Sequence, residues 1–315
     1  PMAVYTLSPF FGLILGPLIG GFINQNVDWR WTWRVQIIWV FVELVLRLLL
    51  LLFVAETYAP VLLKWKAARL RASTNDKRLY APLDVKDINL LRAVVVSCYK
   101  PFQLLAYDRM ALLLNAWNAL LLGILYLAFQ AFPIVLKKHG FSEEETGMTF
   151  GIGVGMISAI CCMPFWNRLF ERGTLKFNGR PPPETRLYMG QVGGILVPIG
   201  LFALAFTTYA SVPWIVPVIA AIPLGAGMYF VFTSTFTYLV TAYRPIAASA
   251  MAANSALRST FAAAFPLFAG TVGATARLGT VGAMALLAGL TVVMVPLPLI
   301  FYNIGPRLGE KSRFA

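Results

Sequence analysis

Gly12-Leu-Ile-Leu-Gly16-Pro17-Leu-Ile-Gly20-Gly21 lies inside an apolar run from Met2 to Ile23. About 20 apolar residues are enough for a helix to cross a bilayer. Gly12, Gly16 and Gly20 recur every four residues, so they share one helix face. A face without side chains lets a neighbouring helix approach closely. Pro17 removes one backbone N–H and kinks the helix there. From the residues alone, this is a small-residue packing face on a membrane helix.

The rest of the chain agrees with a membrane reading. Of its 315 residues, 59% are hydrophobic and only 12% charged, and the mean hydropathy is +0.73. A soluble domain carries about 25% charged residues. Eight apolar spans are expected, over 2–23, 35–55, 110–136, 147–166, 187–209, 212–242, 246–272 and 278–303. The formal charge of +13 is explained by where it sits. Nineteen of the 26 Lys and Arg fall in one set of alternate loops and five in the other. The positive-inside rule puts the nineteen, and both chain ends, in the cytoplasm. Nucleic acid is not needed to account for the charge. Cys98, Cys161 and Cys162 have no metal-ligand spacing, so no metal site, disulfide framework or cofactor is expected. The chain opens on Pro1 without a signal peptide and reads as a fragment.

This organisation predicts the end of one helical bundle at 1–55 and a central cytoplasmic loop at 56–109. A six-helix bundle follows at 110–305, then a tail at 306–315. Trp29, Trp31 and Trp33 beside Arg30 and Arg34 form an interfacial anchor. Residues 61–71 interleave aliphatic and basic side chains, as a helix lying on the membrane surface would. A second amphipathic piece is expected over 84–99.

Charges inside spans usually mark function. Glu43 and Arg47 are four apart, so each is the other's natural partner. Glu43 is also the one carboxylate well inside a span, which makes it the proton-coupling candidate. The third span carries Asn115, Asn118, Tyr126 and Gln130, a polar stripe suited to a helix interface or a water-filled cavity. Gly147, Gly151 and Gly155 predict a close-packing face on the fourth. The sixth span holds Pro213, Pro217 and Pro223, then Gly225 and Gly227, as a bending helix would. Its Tyr229, Phe232 and Tyr238 either line a ligand cavity, or face lipid or pack as core. In the seventh span, twelve of the eighteen residues from Ala247 to Ala264 are Ala or Ser. Asn254 and Arg258 sit there one turn apart, with Arg258 ~18 Å along the helix at 1.5 Å per residue. That is near the middle of a ~30 Å hydrocarbon core, so Arg258 is expected to face a polar cavity or a partner.

The spacing Gly12, Gly16-Pro17, Gly20-Gly21 resembles the antiporter motif on the fifth helix of drug:proton antiporters of the major facilitator superfamily. Ala3 stands where that motif has a further glycine. Trp29-Arg30-Trp31, Glu56-Thr-Tyr-Ala-Pro60, Pro182-Pro-Glu184-Thr-Arg186-Leu187, Asn254 with Arg258, and Phe265-Pro266-Leu-Phe268 resemble the fungal twelve-helix exporters of multidrug, cycloheximide, azole and polyamine type. The resemblance implies an all-α integral membrane fold, with the eight spans equivalent to helices five to twelve and helices one to four absent. It implies alternating access, with proton entry driving export of a hydrophobic drug or fungal metabolite by a monomer in the plasma membrane. Ala55, Leu122, Gln130 and Thr241 depart from common family residues. The last two remove carboxylates, which argues against a polycationic substrate.

An enzyme reading finds no nucleophile–base pair and no phosphate-cradling loop. The single histidine, His139, lies in a polar loop. Two alternatives stand beside the exporter: a proton-coupled importer on the same fold, and a non-transporting remnant. As a fragment, the chain is expected to be inactive alone.

Overall fold

The computed structural model describes residues 2–74, 78–84, 90–138, 148–176, 183–209, 211–274 and 279–311. The expected loop around His139, Gly147 and the Pro181-Pro182 pair lie outside them. The described residues form α1 (Met2–Asn26), α2 (Arg30–Phe53), α3 (Ala59–Thr74), α4 (Leu90–Tyr107), α5 (Arg109–Lys138) and α6 (Met148–Cys161). There follow α7 (Met163–Lys176), α8 (Leu187–Thr207), α9 (Ile215–Ala242), α10 (Ala247–Ala274), α11 (Gly279–Met294) and α12 (Pro296–Lys311). Short 3-10 turns at Pro183–Arg186 and Arg244–Ile246 lead into α8 and α10.

Six helical stretches among the described residues are long and apolar enough to cross a membrane: Arg30–Phe53, Arg109–Gln130, Gly151–Gly173, Glu184–Thr207, Ile215–Ala242 and Met284–Asn303. The other two expected spans are occupied by α1 and α10, helices of 25 and 28 residues. Two expected single helices are each built of two. The fourth span breaks at Cys162, two residues before Pro164, and the last breaks at Val295, just before Pro296. Proline has no N–H to donate and its ring crowds the carbonyl four residues back. At both breaks the preceding N–H is shared between two carbonyls, Cys162 with Ser158 and Ala159, and Val295 with Thr291 and Val292.

The chain divides into two compact units, Pro1–Asn26 with Lys100–Ala315, and Val27–Tyr99. In the smaller unit no residue of α2 or α3 is buried. Its anchor takes the expected form. Arg30 stands 5.1 Å from the Trp29 ring centre and Arg34 stands 4.9 Å from that of Trp31. Arg30 also pairs with Asp28 at 2.9 Å. The basic face of α3 is tied to the following turn. Asp84 accepts from Arg71 at 3.1 Å and from the Ala81 N–H at 3.2 Å, with Lys64 at 3.8 Å. The second amphipathic piece ends later than expected: α4 runs past Tyr99, the last residue of this unit, through Pro101 to Tyr107.

The larger unit is organised around α9, which packs on α8, α6, α10, α1 and α5, while α10 packs on α5 and α11 and α12 on α8. Glycine brings these backbones together. A Cβ on Gly155 would run into the Ile222 carbonyl oxygen, and one on Gly225 into that of Ile152. On the other side of α9, a Cβ on Gly193 would lie 2.6 Å from the Gly227 carbonyl oxygen. One on Gly200 would lie 2.6 Å from the Leu224 nitrogen. In a membrane, helices gain little from hiding apolar surface from each other, so close van der Waals contact carries the packing. The glycines of α9, read from the sequence as bending points, are its contact points.

Candidate functional site

α1 enters the larger unit by one face. Thr6, Phe10 and Ile14, four apart, are buried, and α1 packs on α6 and α9. The Phe10 ring centre lies 4.9 Å from that of Phe232. Gly12, Gly16 and Gly20 sit about 120° round the helix from that stripe, at about 100° per residue. A Cβ on any of the three meets nothing within 4 Å. Gly12, Gly16 and Pro17 are exposed, and Gly20 and Gly21 are half-buried. Among the described residues, then, the expected close-packing face holds no neighbour. The larger side chains of the adjacent stripe hold α1 in place, because they have more surface to bury.

α10 presents Asn254 and Arg258 to α5 and α9. The Arg258 guanidinium stands over two rings of α9, 5.7 Å from the Phe232 centre and 5.2 Å from the Phe236 centre. Phe232 and Phe236 are four residues apart, with ring centres 6.0 Å from each other and the planes tilted by 56°. A desolvated cation over an aromatic face is worth up to about 2 kcal/mol, so ring faces do part of what a polar partner was expected to do. The same arginine lines a cavity of about 410 Å³ with Pro9 and Phe10 of α1, Leu122 and Tyr126 of α5, and Ser259 and Ala262 of α10. Three helices thus surround a mostly apolar space with a single cationic group, Arg258, among its lining residues.

Below the cavity, Asn254 donates to Asn115 at 2.8 Å, and both are buried. Asn118 is fully buried, and neither amide atom has a hydrogen-bond partner among the described residues. Gln130, at the other end of the stripe, is exposed. Tyr229, Phe232 and Tyr238 are core residues. Tyr238 donates to the Met110 sulfur at 3.2 Å. Of the residues singled out as cavity candidates, Tyr126 and Arg258 line this cavity, Phe232 supports Arg258 from beneath, and the Asn115–Asn254 pair links two of its walls. Glu43 belongs to the smaller unit, where it pairs with Arg47 as its spacing suggested; both side chains are exposed.

Where the chain leaves α9 for α10, outside the spans, Tyr243 is 1% exposed. Burial pushes its phenol well above the ordinary tyrosine range, and the hydrogen-bonded Asp108 carboxylate adds to this. Asp108 also caps α5, accepting from Met110 N–H at 3.0 Å and Ala111 N–H at 3.1 Å.

Sequence reasoning missed Pro9, Phe10 and Phe236. The signal for Phe236 was present, since it follows Phe232 by one helical turn. It becomes readable only once α9 is known to lie beside α10.

The chain matches the family model described as Major Facilitator Superfamily over residues 1–266, and it belongs to that superfamily. It is therefore a multi-pass membrane protein of a transporter family. It is 47% identical to "Efflux pump atB" of Aspergillus terreus, with all of this chain and 67% of that protein aligned. It is 43% identical to "Probable drug/proton antiporter YHK8" of Saccharomyces cerevisiae, over all of this chain and 61% of the relative. It is 38% identical to "MFS-type efflux pump MFS2" of Trichophyton rubrum, over all of this chain and 52% of the relative. The chain thus spans between about half and two thirds of the length of these relatives. No solved structure matches it.

Proposed function

We propose that the chain supplies the helices equivalent to five to twelve of a fungal exporter that expels hydrophobic drugs or metabolites by proton antiport and alternating access. The cavity around Arg258 carries this reading. It is apolar over most of its lining, as sites that bind by shape and area are, and its one cation can meet a polar or anionic end of the substrate. The names of the relatives support export rather than uptake. In this reading residues 1–55 end the first bundle, 56–109 link the two, 110–305 form the second, and 306–315 are a cytoplasmic tail. Gly12, Gly16, Pro17, Gly20 and Gly21 act as the antiporter motif, and Glu43 is the proton-coupling group offered by this sequence. The transporter is a monomer of the plasma membrane, with small molecules, protons and lipid as its partners and no nucleic acid.

Expression of the full-length exporter that contains these helices, in a yeast strain stripped of its own drug exporters, tests the reading. Cells should lose a preloaded lipophilic dye faster than control cells, and a protonophore should remove the difference. Dye loss unchanged by expression, or indifferent to the protonophore, would overturn it.

A further inference from the structure

A second cavity, of about 670 Å³, opens between α7, the turn before α8, α8 and α9. It shares none of its lining with the Arg258 cavity. Arg186, at the head of α8, lies in its wall with the guanidinium 3.3 Å from the Phe170 ring centre. Buried Nε of Arg186 and buried Nε2 of Gln191 both lack a hydrogen-bond partner among the described residues. Both are donors, both line the same space, and no carboxylate is among the lining residues. Such a set calls for an acceptor-rich, negatively charged group. α7 also carries Arg168, Arg172 and Lys176. Two acids lie close by in sequence, Glu171 of α7 and buried Glu184 of the turn that carries Arg186, and neither is among the lining residues.

The mouth decides what kind of anion fits. Tyr188, Val192, Ile195 and Ile199 form an exposed apolar stripe along α8, a helix long and apolar enough to span the membrane. Tyr188 and Val192 line the cavity as well, and so does exposed Leu169 of α7. The opening is therefore flanked by exposed apolar side chains, and Arg186 sits at the N-terminal end of the apolar stretch that begins at Glu184, the end of a spanning helix that meets a bilayer's headgroup region. The volume far exceeds what one phosphate group fills. We propose that this cavity binds the phosphate headgroup of an acidic phospholipid, which Arg186 and Gln191 hold while its acyl chains leave past Leu169, Tyr188 and Val192. Basic pockets between membrane helices recognise acidic headgroups in this way.

The test reconstitutes the full chain in vesicles of phosphatidylcholine with a minor share of phosphatidylserine, extracts it in mild detergent and weighs the co-purifying lipid by mass spectrometry. Wild type should retain phosphatidylserine about fivefold above its bulk share, the factor expected for one basic residue near the surface. Arg186→Gln should bring the ratio back to bulk. Arg172→Gln, which removes an exposed charge of the same helix pair, should leave the enrichment in place. If Arg186→Gln does not fold, Val192→Trp decides, because it fills the mouth and keeps the charge; it too should lose the enrichment. Wild-type retention at the bulk ratio would overturn the proposal, as would enrichment unchanged in the folded variant. Thermal protection of wild type by inorganic phosphate, absent in Arg186→Gln and without lipid enrichment, would assign the cavity to a soluble anion instead.

Discussion

The amide of Asn254 donates to the side-chain oxygen of Asn115 across α10 and α5 at 2.8 Å, with both residues buried. This is a polar clasp between two helices that also share a buried cluster with Ala111 on α5 and Ala250 and Ala253 on α10. Losing one partner leaves the other amide unsatisfied in an apolar setting, a cost of about 1–3 kcal/mol. Interhelical hydrogen bonds in membranes average about 0.6 kcal/mol when both partners are accounted for. Asn254→Ala and Asn115→Ala should therefore each lower the detergent unfolding midpoint, and the Leu/Leu double variant should recover most of the loss. Equal loss in the singles and the double would mean that the amides serve something other than each other.

Arg258 rests on Phe232 and Phe236 and lines the cavity. A charged side chain at mid-membrane costs roughly 2.5–3.5 kcal/mol on insertion scales, so an idle one is disfavoured. Arg258→Ala should accumulate near normally and abolish efflux. Arg258→Lys keeps the charge but loses the planar fork and its stacking, and should transport weakly. Phe236→Leu removes one ring and should fall between wild type and Arg258→Lys. Full efflux by Arg258→Ala would end the assignment.

The glycines divide into two kinds. Gly155 and Gly225 meet backbone carbonyls of the opposite helix, whereas Gly16 and Gly20 meet nothing within 4 Å. Gly225→Leu should abolish accumulation of folded protein. Gly20→Leu should accumulate as wild type, since the helix itself gains propensity by about 1 kcal/mol, and should fail in efflux if this face acts as the antiporter motif. Fluorescence-detected size exclusion and dye efflux separate the two effects.

These cases show what a sequence of this kind discloses. Helices are legible because apolar runs of the right length have few alternatives in a bilayer. The pairing of Glu43 with Arg47 is legible because it is local, fixed by a four-residue step on one helix. Gly151 and Gly155 were read correctly as a contact face, yet Gly12, Gly16 and Gly20, with the same spacing, meet no described neighbour. Spacing defines a face but does not name what stands opposite. The same limit hid Phe10 and Phe236, whose roles depend on which helices become neighbours. Pro164 and Pro296 marked the helix breaks in plain view, but a break inside an apolar run does not change hydropathy, so the run reads as one span.

Tyr243 supplies a pH dependence. Its folded-state phenol titrates above the ordinary value, which is about 10. The unfolded chain therefore loses this proton first as pH rises. The stabilisation is complete below pH about 10 and is lost above it, by at most about 1.4 kcal/mol per pH unit. Tyr243→Phe leaves Asp108 short of a donor and should lower the unfolding midpoint at neutral pH, with a flatter decline in alkali than wild type. Parallel alkaline declines in the two proteins would remove Tyr243 from the account.

The glycine contacts of α9 also constrain how this gene can change under drug pressure. Every single-base change that alters a glycine codon's residue adds at least a Cβ. At Gly155, Gly193, Gly200, Gly225 and Gly227 that atom has nowhere to go. Such alleles are lost before any substrate is tested. If the chain belongs to an exporter as proposed, heritable shifts in its substrates are then channelled to the residues around the open cavity, above all Leu122, Tyr126, Ser259 and Ala262. Resistance alleles should accumulate on α5 and α10 and leave the α6–α8–α9 scaffold silent.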